Sequence, residues 1–251
     1  MKIMLRCAVL FASTVGVISA STRAQAPAAN PPPSPPPAPY VPIPAPNIPP
    51  RSGPTERIDY SHARTLDGWT GNTEWWSVKD GVFTTKASGP VPTSFLFTEK
   101  HYTDFRLTLR CQVVESENHA GVALWGDQVP GKDPANRWTT NGPLVCFPGV
   151  FLWDYRTSKS IPIPPEDMAW TREHVHQHDW VQVEILAQGN RIRAAFNGHQ
   201  VLDWREPDPS RLKEGPIGLQ LHGHGKPQEV IYKDVVIETF PKENRLITLK
   251  N

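Results

Sequence analysis

A short strand-like stretch near the end of the chain carries the residues best suited to proton transfer. Between Gly215 and Gly223, aliphatic residues alternate with Gly218, Gln220 and His222. A strand sends alternate side chains to opposite faces, so the aliphatic residues would line a core while the other three face outwards. Imidazole titrates near neutral pH and binds metal ions. We predict that His222 is a general base or metal ligand, that Gln220 binds the ligand and that Gly218 leaves room for a ligand or for a neighbouring backbone. A surface histidine in a glycine-rich turn is the alternative.

A glutamate in a second alternating run is the next candidate for acid or base chemistry. Glu184 shares the polar face of its predicted strand with Gln182 and Trp180. If that face is concave, the carboxylate can exchange protons with a substrate or bind sugar hydroxyl groups. A solvated glutamate on an open strand is the equally weighted alternative.

Tryptophan is frequent, with nine residues in a chain of 251. Its large flat ring buries well and also offers a stacking surface with a polar N–H group. We predict that Trp125 and Trp153 form a stacking floor for a sugar ring, with Trp138 at its rim. A place in the core is the alternative for these aromatic residues, and for Phe151 the core is the preferred interpretation.

Three histidines with a spacing of two residues form the most metal-like pattern in the chain. His174, His176 and His178 would share one face of a strand, and imidazole nitrogens suit zinc and similar ions. The pattern lies beside a predicted loop, however, which makes a metal site here the less favoured hypothesis. Whether the protein uses a divalent metal ion therefore stays open.

The elements that must position these residues are short strands. Alternating runs cover Phe105–Val113, Trp180–Ile185 and Val230–Ile237, and no long stretch has a helical period. Asn197-Gly198 is the pair favoured by a type I′ turn, which predicts a β-hairpin with an exposed tip. Many short strands separated by turn residues predict an all-β, antiparallel, two-sheet jelly-roll sandwich.

The first 26 residues have the features of a secretory signal peptide. Lys2 and Arg6 precede an apolar stretch over Ala8–Ile18, which is too short to span a membrane. Small residues follow, and cleavage is expected after Ala20. Ala24-Gln25-Ala26 also has suitable small residues, but Pro27 behind it would hinder the peptidase. We expect a protein that is secreted or periplasmic in a bacterial envelope, with no membrane span.

Half of residues 27–54 are proline, which predicts an extended linker that serves as a spacer or as a disordered tail. The globular domain is predicted over residues 55–251, with few contacts to the chain before Thr55. Export makes a disulfide between Cys111 and Cys146 possible, although a buried free thiol at Cys111 is an equally ordinary outcome. The net charge of +1 gives no reason to expect a nucleic acid partner.

An ordered series of motifs resembles the 3-keto-disaccharide hydrolase domain family. The resemblance extends from about Leu66 to Ile237 and is strongest over Gly215–Gly223. The other motifs are Leu66–Trp69, Trp76–Val82, Thr98–Leu107, Asp179–Ile185, Gly189–Ile192 and Asn197-Gly198. This family resemblance implies a concanavalin-like jelly roll.

The resemblance also implies cleavage of glycosides that are already oxidised to a ketone at C3. The chain departs from the family in two motifs. Asn118–Val122 stands where the family has Asn-Ser-Gly-Val, and the strand then leads to Trp125 in place of an arginine. In the next motif Asp154 is the one acidic residue kept, and Gly149 and Phe151 replace polar residues. We therefore predict His222, Glu184 and Asp154 as catalytic residues, with His119 among the substrate-binding residues.

Two other functions remain open at this point. A non-catalytic, lectin-like carbohydrate-binding module fits the gain of aromatic residues at the altered motif. An ordinary glycoside hydrolase would use two carboxylates, but the chain lacks the tight strand of acidic residues that such jelly rolls favour. In each case the expected partner is a carbohydrate, and the sequence does not determine the oligomeric state.

Overall fold

The computed structural model describes residues 40–131 and 136–250. Its strands, in chain order, are β1 (Arg57–Asp59), β2 (Trp69–Thr70), β3 (Trp76–Lys79), β4 (Val82–Ala87), β5 (Ser94–Tyr102), β6 (Phe105–Glu115), β7 (Ala120–Ala123), β8 (Gln128–Val129), β9 (Thr139–Thr140), β10 (Pro143–Phe147), β11 (Phe151–Asp154), β12 (Lys159–Ile161), β13 (Val181–Gln188), β14 (Arg191–Phe196), β15 (His199–Arg205), β16 (Gly215–Leu221) and β17 (Gln228–Thr239). A helix, α1 (Pro165–His174), and a 3₁₀ turn (Pro209–Arg211) complete the elements.

The strands form two large antiparallel sheets. The first sheet has the order β15-β14-β13-β6-β17-β4-β3, with β1 paired to β17, and the second has the order β12-β11-β10-β7-β16-β5-β2. The small pair β8-β9 stands apart from both. This arrangement is the predicted all-β, two-sheet antiparallel sandwich.

The core lies between the inner faces of the two sheets. On β16 the aliphatic residues Ile217, Leu219 and Leu221 are fully buried, and they belong to the same cluster as Leu107 and Leu109 of β6. Burying each such side chain contributes roughly 1.5–3 kcal/mol. The alternation predicted for these strands is thus confirmed, and the intervening residues of β16 face outwards.

Helix α1 is the element that the sequence analysis missed. Proline occupies its first turn together with Glu166 and Asp167, and Arg172 and His174 lie in its last turn. Acidic residues at the start and basic residues at the end suit the helix dipole. The helix has only one buried residue, Thr171, and without an apolar stripe it gives no helical period.

The three histidines of the metal-like pattern do not share a strand. His174 ends α1, and His178 Nδ1 bonds to the carbonyl oxygen of Val113 at 2.8 Å in the turn that follows. Within residues 40–131 and 136–250, no group of three or more His, Cys, Asp or Glu side chains is placed to hold a metal ion.

The predicted β-hairpin at Asn197-Gly198 joins β14 to β15, and both turn residues have positive φ, 50° and 86°. Its tip is not exposed, however, because Lys250 N donates to the Gly198 carbonyl oxygen at 2.9 Å. Residues 240–250, which we call the C-terminal strap, lie along the outer face of the first sheet. Leu246 packs there against Leu186 and Ala195.

Residues 46–54, which we call the N-terminal segment, also contact the sandwich. Ile48 N donates to Asn190 Oδ1 at 3.2 Å, and Arg51 N donates to Asp104 Oδ1 at 3.1 Å. In addition, Thr239 Oγ1 donates to the Pro54 carbonyl oxygen at 2.9 Å. The segment has no regular secondary structure, as expected, but the expectation of few contacts before Thr55 is wrong.

Cys111 and Cys146 are both buried free thiols. They lie on different sheets, on β6 and β10 respectively. The disulfide is therefore absent, and the alternative of buried thiols is the one observed. Neither helix of residues 40–131 and 136–250 has the length and hydropathy needed to cross a bilayer. The predicted signal peptide and the first part of the linker lie outside the described residues.

Candidate functional site

An open cleft of about 380 Å³ lies on the outer face of the second sheet. Small-molecule sites typically measure roughly 300–1,000 Å³, so the cleft suits a ligand of sugar size. Its lining combines aromatic rings, two imidazoles and hydroxyl groups, contributed by Thr93, His119, Leu144, Phe151, Trp153, Tyr155, Ser160 and His222.

The aromatic wall of the cleft is a consequence of the alternation along β11. Phe151 and Trp153 are half-buried and line the cleft, whereas Leu152 and Asp154 are buried on the opposite face of the strand. Trp153 thus lies where a stacking residue was predicted. The preference for a core position at Phe151 is wrong, because its ring forms part of the cleft and packs edge-on against His119 at a centroid distance of 4.6 Å.

The two cleft histidines are brought together by strand register. In the antiparallel pair β7–β16, Gly218 is opposite Ala123 and Leu219 is opposite Val122. Continuing this register beyond the strand ends places His222 opposite His119. Their ring centroids are 4.5 Å apart, with an angle of 75° between the ring planes.

A backbone hydrogen bond sets the tautomer of His222. Its Nδ1 lies 2.8 Å from the carbonyl oxygen of Gly223, which can only accept. Nδ1 therefore carries the proton and donates, and Nε2 keeps a lone pair that can accept a proton. Burial lowers the pKa of His222 below its ordinary value, and a smaller contribution comes from the charge of His224.

His119 is held neutral even more firmly. Burial, followed by the charge of His222, lowers the pKa of His119 to about 3. Both imidazoles are consequently uncharged at neutral pH, which is the state that a general base requires.

Tyr155 is a cleft residue that the sequence analysis missed. Gln220 Nε2 donates to the Tyr155 hydroxyl oxygen at 3.2 Å, so the tyrosine proton remains free to be donated elsewhere. Burial raises the pKa of Tyr155 and keeps the hydroxyl protonated. Gln220 itself is fully buried and is absent from the cleft lining. It therefore positions Tyr155, and the prediction that Gln220 contacts the ligand does not hold.

The remaining cleft residues that the sequence analysis did not select are Thr93, Leu144 and Ser160. Ser160 is paired with Trp153 across the β11–β12 hairpin. Recognising that short hairpin would have placed a hydroxyl beside the predicted stacking residue.

Gly218 does not leave room for a ligand. A Cβ atom at this position would lie 2.7 Å from the ring of Phe97 and 3.2 Å from that of Phe95. The glycine is required by these two rings, which pack against each other at a centroid distance of 5.4 Å beneath the cleft.

Glu184 does not reach the cleft, contrary to the prediction that it is catalytic. It lies on the first sheet, fully buried, with Oε1 accepting from Arg106 Nε at 2.9 Å. Its Oε2 accepts from the backbone N–H groups of Ile247 and Thr248, both at 2.9 Å. The carboxylate therefore holds the C-terminal strap against the sheet.

Asp154 also lies outside the cleft, although it follows Trp153 directly. Its Oδ1 accepts from Arg156 Nε at 2.8 Å, and Arg211 approaches Oδ2 at 3.6 Å. Arg156 in turn pairs with the buried Glu206 at 2.7 Å. Asp154 is therefore part of a structural ion-pair network with two arginines, and it is not placed to act as an acid in the cleft.

The other two predicted tryptophans have packing roles. Trp125 is buried in the core between the sheets, and its Nε1 donates to the Thr103 carbonyl oxygen at 2.7 Å. Trp138 packs against the aromatic cluster of Phe95 and Phe97 but does not line the cleft.

A resident metal ion does not fit the described part of the cleft. His119 and His222 are its only metal-binding side chains of the imidazole, thiolate or carboxylate type within residues 40–131 and 136–250. Two imidazoles without a carboxylate fall short of the three protein ligands that catalytic zinc sites use.

Comparison with known proteins gave a clear match at the level of sequence families. The family described as the 3-keto-alpha-glucoside-1,2-lyase-like domain matches residues 58–238. No curated protein matches the chain.

Among solved structures, the chain is similar to the carbohydrate-binding module CBM66 from Bacillus subtilis, with 16% identity and a TM-score of 0.48, covering 70% of this chain and 98% of that one. It is similar to a protein of unknown function with a galectin-like fold from Bacillus subtilis, with 13% identity and a TM-score of 0.49, covering 75% and 97%. It is also similar to the GH43 protein BlXynB from Bacillus licheniformis, with 9% identity and a TM-score of 0.49, covering 74% and 39%.

Proposed function

Because the chain belongs to the 3-keto-alpha-glucoside-1,2-lyase-like domain family, we propose that it cleaves glycosides oxidised to a ketone at C3, by elimination at the cleft of His119 and His222. One observation carries this proposal. An open cleft of sugar size contains the neutral imidazole of His222, whose Nδ1 donates a hydrogen bond to the carbonyl oxygen of Gly223. Such an imidazole is ready to accept a proton at Nε2.

The reaction begins at C2 of the oxidised sugar. The neighbouring ketone acidifies the C2 proton, which moves to His222 Nε2 while the C2–H electron pair forms the enolate with C3. The enolate then re-forms the C3 ketone and gives a C1–C2 double bond, while the C1–O bond breaks and its electron pair leaves on the aglycone oxygen. That oxygen takes a proton from water, and His222 returns its own proton to the resulting hydroxide. Addition of water to the double bond gives net hydrolysis.

The other cleft residues support this step in different ways. The Tyr155 hydroxyl, whose proton is left free by Gln220, donates to the developing enolate oxygen. Phe151 and Trp153 bind the apolar face of the sugar ring. His119, uncharged at neutral pH, keeps the environment of His222 free of positive charge. No step uses a metal ion.

Replacement of the base tests the proposal. We expect His222→Gln to lower kcat/KM for aglycone release from a 3-keto α-glucoside by about 10²–10⁴-fold, the usual contribution of a general base. The protein should keep its melting temperature, because His222 lies at the edge of the cleft and outside the core between the sheets.

The matched control is His199→Gln, since His199 is an exposed histidine that stacks on Trp170 and does not line the cleft. This control should retain full activity. Equal activity of wild type and His222→Gln would show that the base is another residue. The same assay with the unoxidised α-glucoside should give no release.

A carbohydrate-binding module is the second candidate function, and the composition of the cleft favours it in one respect. Within the described residues, the cleft lining contains three aromatic side chains and no carboxylate. A binding module predicts that wild type binds unoxidised glycans, with loss of affinity in Trp153→Ala, and releases no aglycone from the oxidised substrate.

Export remains part of the proposal. The basic and apolar pattern of residues 1–26 supports a signal peptide and a secreted or periplasmic location. N-terminal sequencing of the protein recovered from the periplasm or medium tests this, and recovery of the intact chain from the cytoplasm alone would contradict it.

A further inference from the structure

A small cavity at the edge of the first sheet, away from the cleft, collects an unusual number of arginines. It measures about 50 Å³. A cavity needs roughly 10–15 Å³ to hold one water, so this one admits a group of a few heavy atoms. Its lining comes from β13, β14, β15, the N-terminal segment and the C-terminal strap, and consists of Asn47, Ile48, Pro50, Gln188, Arg191, Arg193, Arg205 and Asn244.

The cross-strand register places like charges opposite each other at this cavity. Arg191 of β14 is directly opposite Arg205 of β15, and Arg193 is opposite Asp203. Like charges in directly opposed positions destabilise a sheet. Asp203 forms a two-pronged ion pair with Arg191, so its charge is already engaged. Three guanidinium groups therefore face one carboxylate.

Arg193 carries a buried positive charge that no ion pair of the described residues compensates. Only 7% of it is exposed, and its Nε is buried without a hydrogen-bond partner. Its Nη1 and Nη2 donate to neutral acceptors, the carbonyl and side-chain oxygens of Asn244 and the side-chain oxygen of Gln188, at 2.6–3.1 Å. Among the ion pairs of the described residues, none includes Arg193 or Arg205. Burial, with a further contribution from the charge of Arg191, lowers the pKa of Arg193.

We infer that this cavity binds a small oxyanion, such as the phosphate or sulfate group of a free ion or of a substituted sugar. A guanidinium group offers a planar fork of N–H donors that matches the oxygens of phosphate, sulfate and carboxylate groups. The anion neutralises the excess charge of Arg193 and Arg205. Because Asn47 and Asn244 also line the cavity, the bound anion ties both terminal segments to the sheet edge.

Calorimetric titration of the full chain with inorganic phosphate tests this site. We expect saturable binding in wild type, at constant ionic strength set with chloride. Arg205→Gln should weaken it about tenfold or more, since a charge-assisted hydrogen bond is lost. Arg110→Gln should bind as wild type does, because Arg110 lies over Trp180 and outside the cavity. Absence of binding in wild type, or equal binding in Arg205→Gln, would overturn the inference.

A second variant tests the site without removing an arginine. Asn244 Oδ1 lies 2.6 Å from Arg193 Nη2, so Asn244→Asp supplies an internal carboxylate to that guanidinium. This variant should lose phosphate binding and melt at a higher temperature than wild type. Unchanged phosphate affinity in Asn244→Asp would contradict the assignment. Titrations with sulfate and with glucose 6-phosphate distinguish a free ion from an esterified one, and neither depends on glycoside cleavage.

Discussion

His119 and His222 face each other because the antiparallel register of β7 and β16 continues one step beyond their ends. Each histidine stands at the boundary between a buried strand and a loop, where a side chain can be half-buried yet accessible. Burial keeps both neutral, and the Gly223 carbonyl group fixes which nitrogen of His222 is free. At the residue scale, the proposed chemistry of the cleft rests on this pair.

The lowered pKa of His222 predicts how activity depends on pH. The base acts only when neutral, so kcat/KM should stay at its plateau down to the ordinary histidine pKa, about 6.5. The value of kcat/KM should fall only below that pH, where the solution pH approaches the lowered pKa of His222 and the imidazole becomes protonated. The pH profile of kcat/KM reports the free enzyme and is the measurement to make. An acidic limb centred at or above pH 6.5 would contradict the burial argument.

At the element scale, the two sheets have different roles. The outer face of the second sheet is open at the cleft, whereas the C-terminal strap covers part of the outer face of the first sheet. Glu184 and Arg106 form the buried ion pair beneath that strap, with side chains that are 0% and 4% exposed. Arg106 also pairs with the partly exposed Glu238 at 2.8 Å, so loss of the Glu184 charge leaves the guanidinium with one carboxylate and weakens the hydrogen bonds that hold the strap.

We therefore predict that Glu184→Gln destabilises the protein by about 1–3 kcal/mol, the range for buried groups that lose a hydrogen-bond partner. The folded fraction should keep its kcat, because Glu184 is remote from the cleft lining. Chemical denaturation measures the first effect and steady-state kinetics the second. Glu243→Gln is the matched control, since Glu243 pairs with Arg245 in solvent and should be neutral for stability. Loss of kcat with unchanged stability would restore Glu184 as a catalytic residue.

The sandwich could be predicted from sequence because alternation along a strand reports which side chains are buried. The same alternation identified His222 as an outward-facing residue of β16. It could not distinguish an outer face that is open from one that is covered, and Glu184 was misassigned for that reason. Asp154 was misassigned because its arginine partners, Arg156 and Arg211, are brought to it by loops whose course leaves no periodic pattern. The short helix α1 lacks the apolar stripe by which helices are recognised.

On the scale of the whole molecule, both terminal segments pack against the sandwich and leave the cleft free. The N-terminal segment contributes backbone hydrogen bonds to Asn190 and Asp104, and Asp104 also accepts from Gly189 N at 2.6 Å. The residues that contact the sandwich therefore begin before Thr55, within the proline-rich stretch.

A chain that begins at Tyr40 should melt at a higher temperature than one that begins at Thr55. Each hydrogen bond contributes roughly 0.5–1.5 kcal/mol, and 1 kcal/mol shifts the melting temperature of a domain of this size by about 2–4 °C. We expect a difference of at least about 3 °C by calorimetry. Equal melting temperatures would show that residues 46–54 contribute nothing to stability.

The fate of the C2 hydrogen tests the central claim most directly. A 3-keto α-glucoside carrying deuterium at C2 is incubated with the protein in ordinary water, and the released keto sugar is analysed by mass spectrometry. Elimination started by His222 removes the C2 deuteron, so the account predicts a product without deuterium, formed by wild type and at a rate about 10²–10⁴-fold lower by His222→Gln. Labelled substrate and labelled keto sugar, each incubated without protein, control for spontaneous exchange at C2, which lies beside the ketone in both. A product that retains its deuterium would mean cleavage without deprotonation at C2, and would contradict the account.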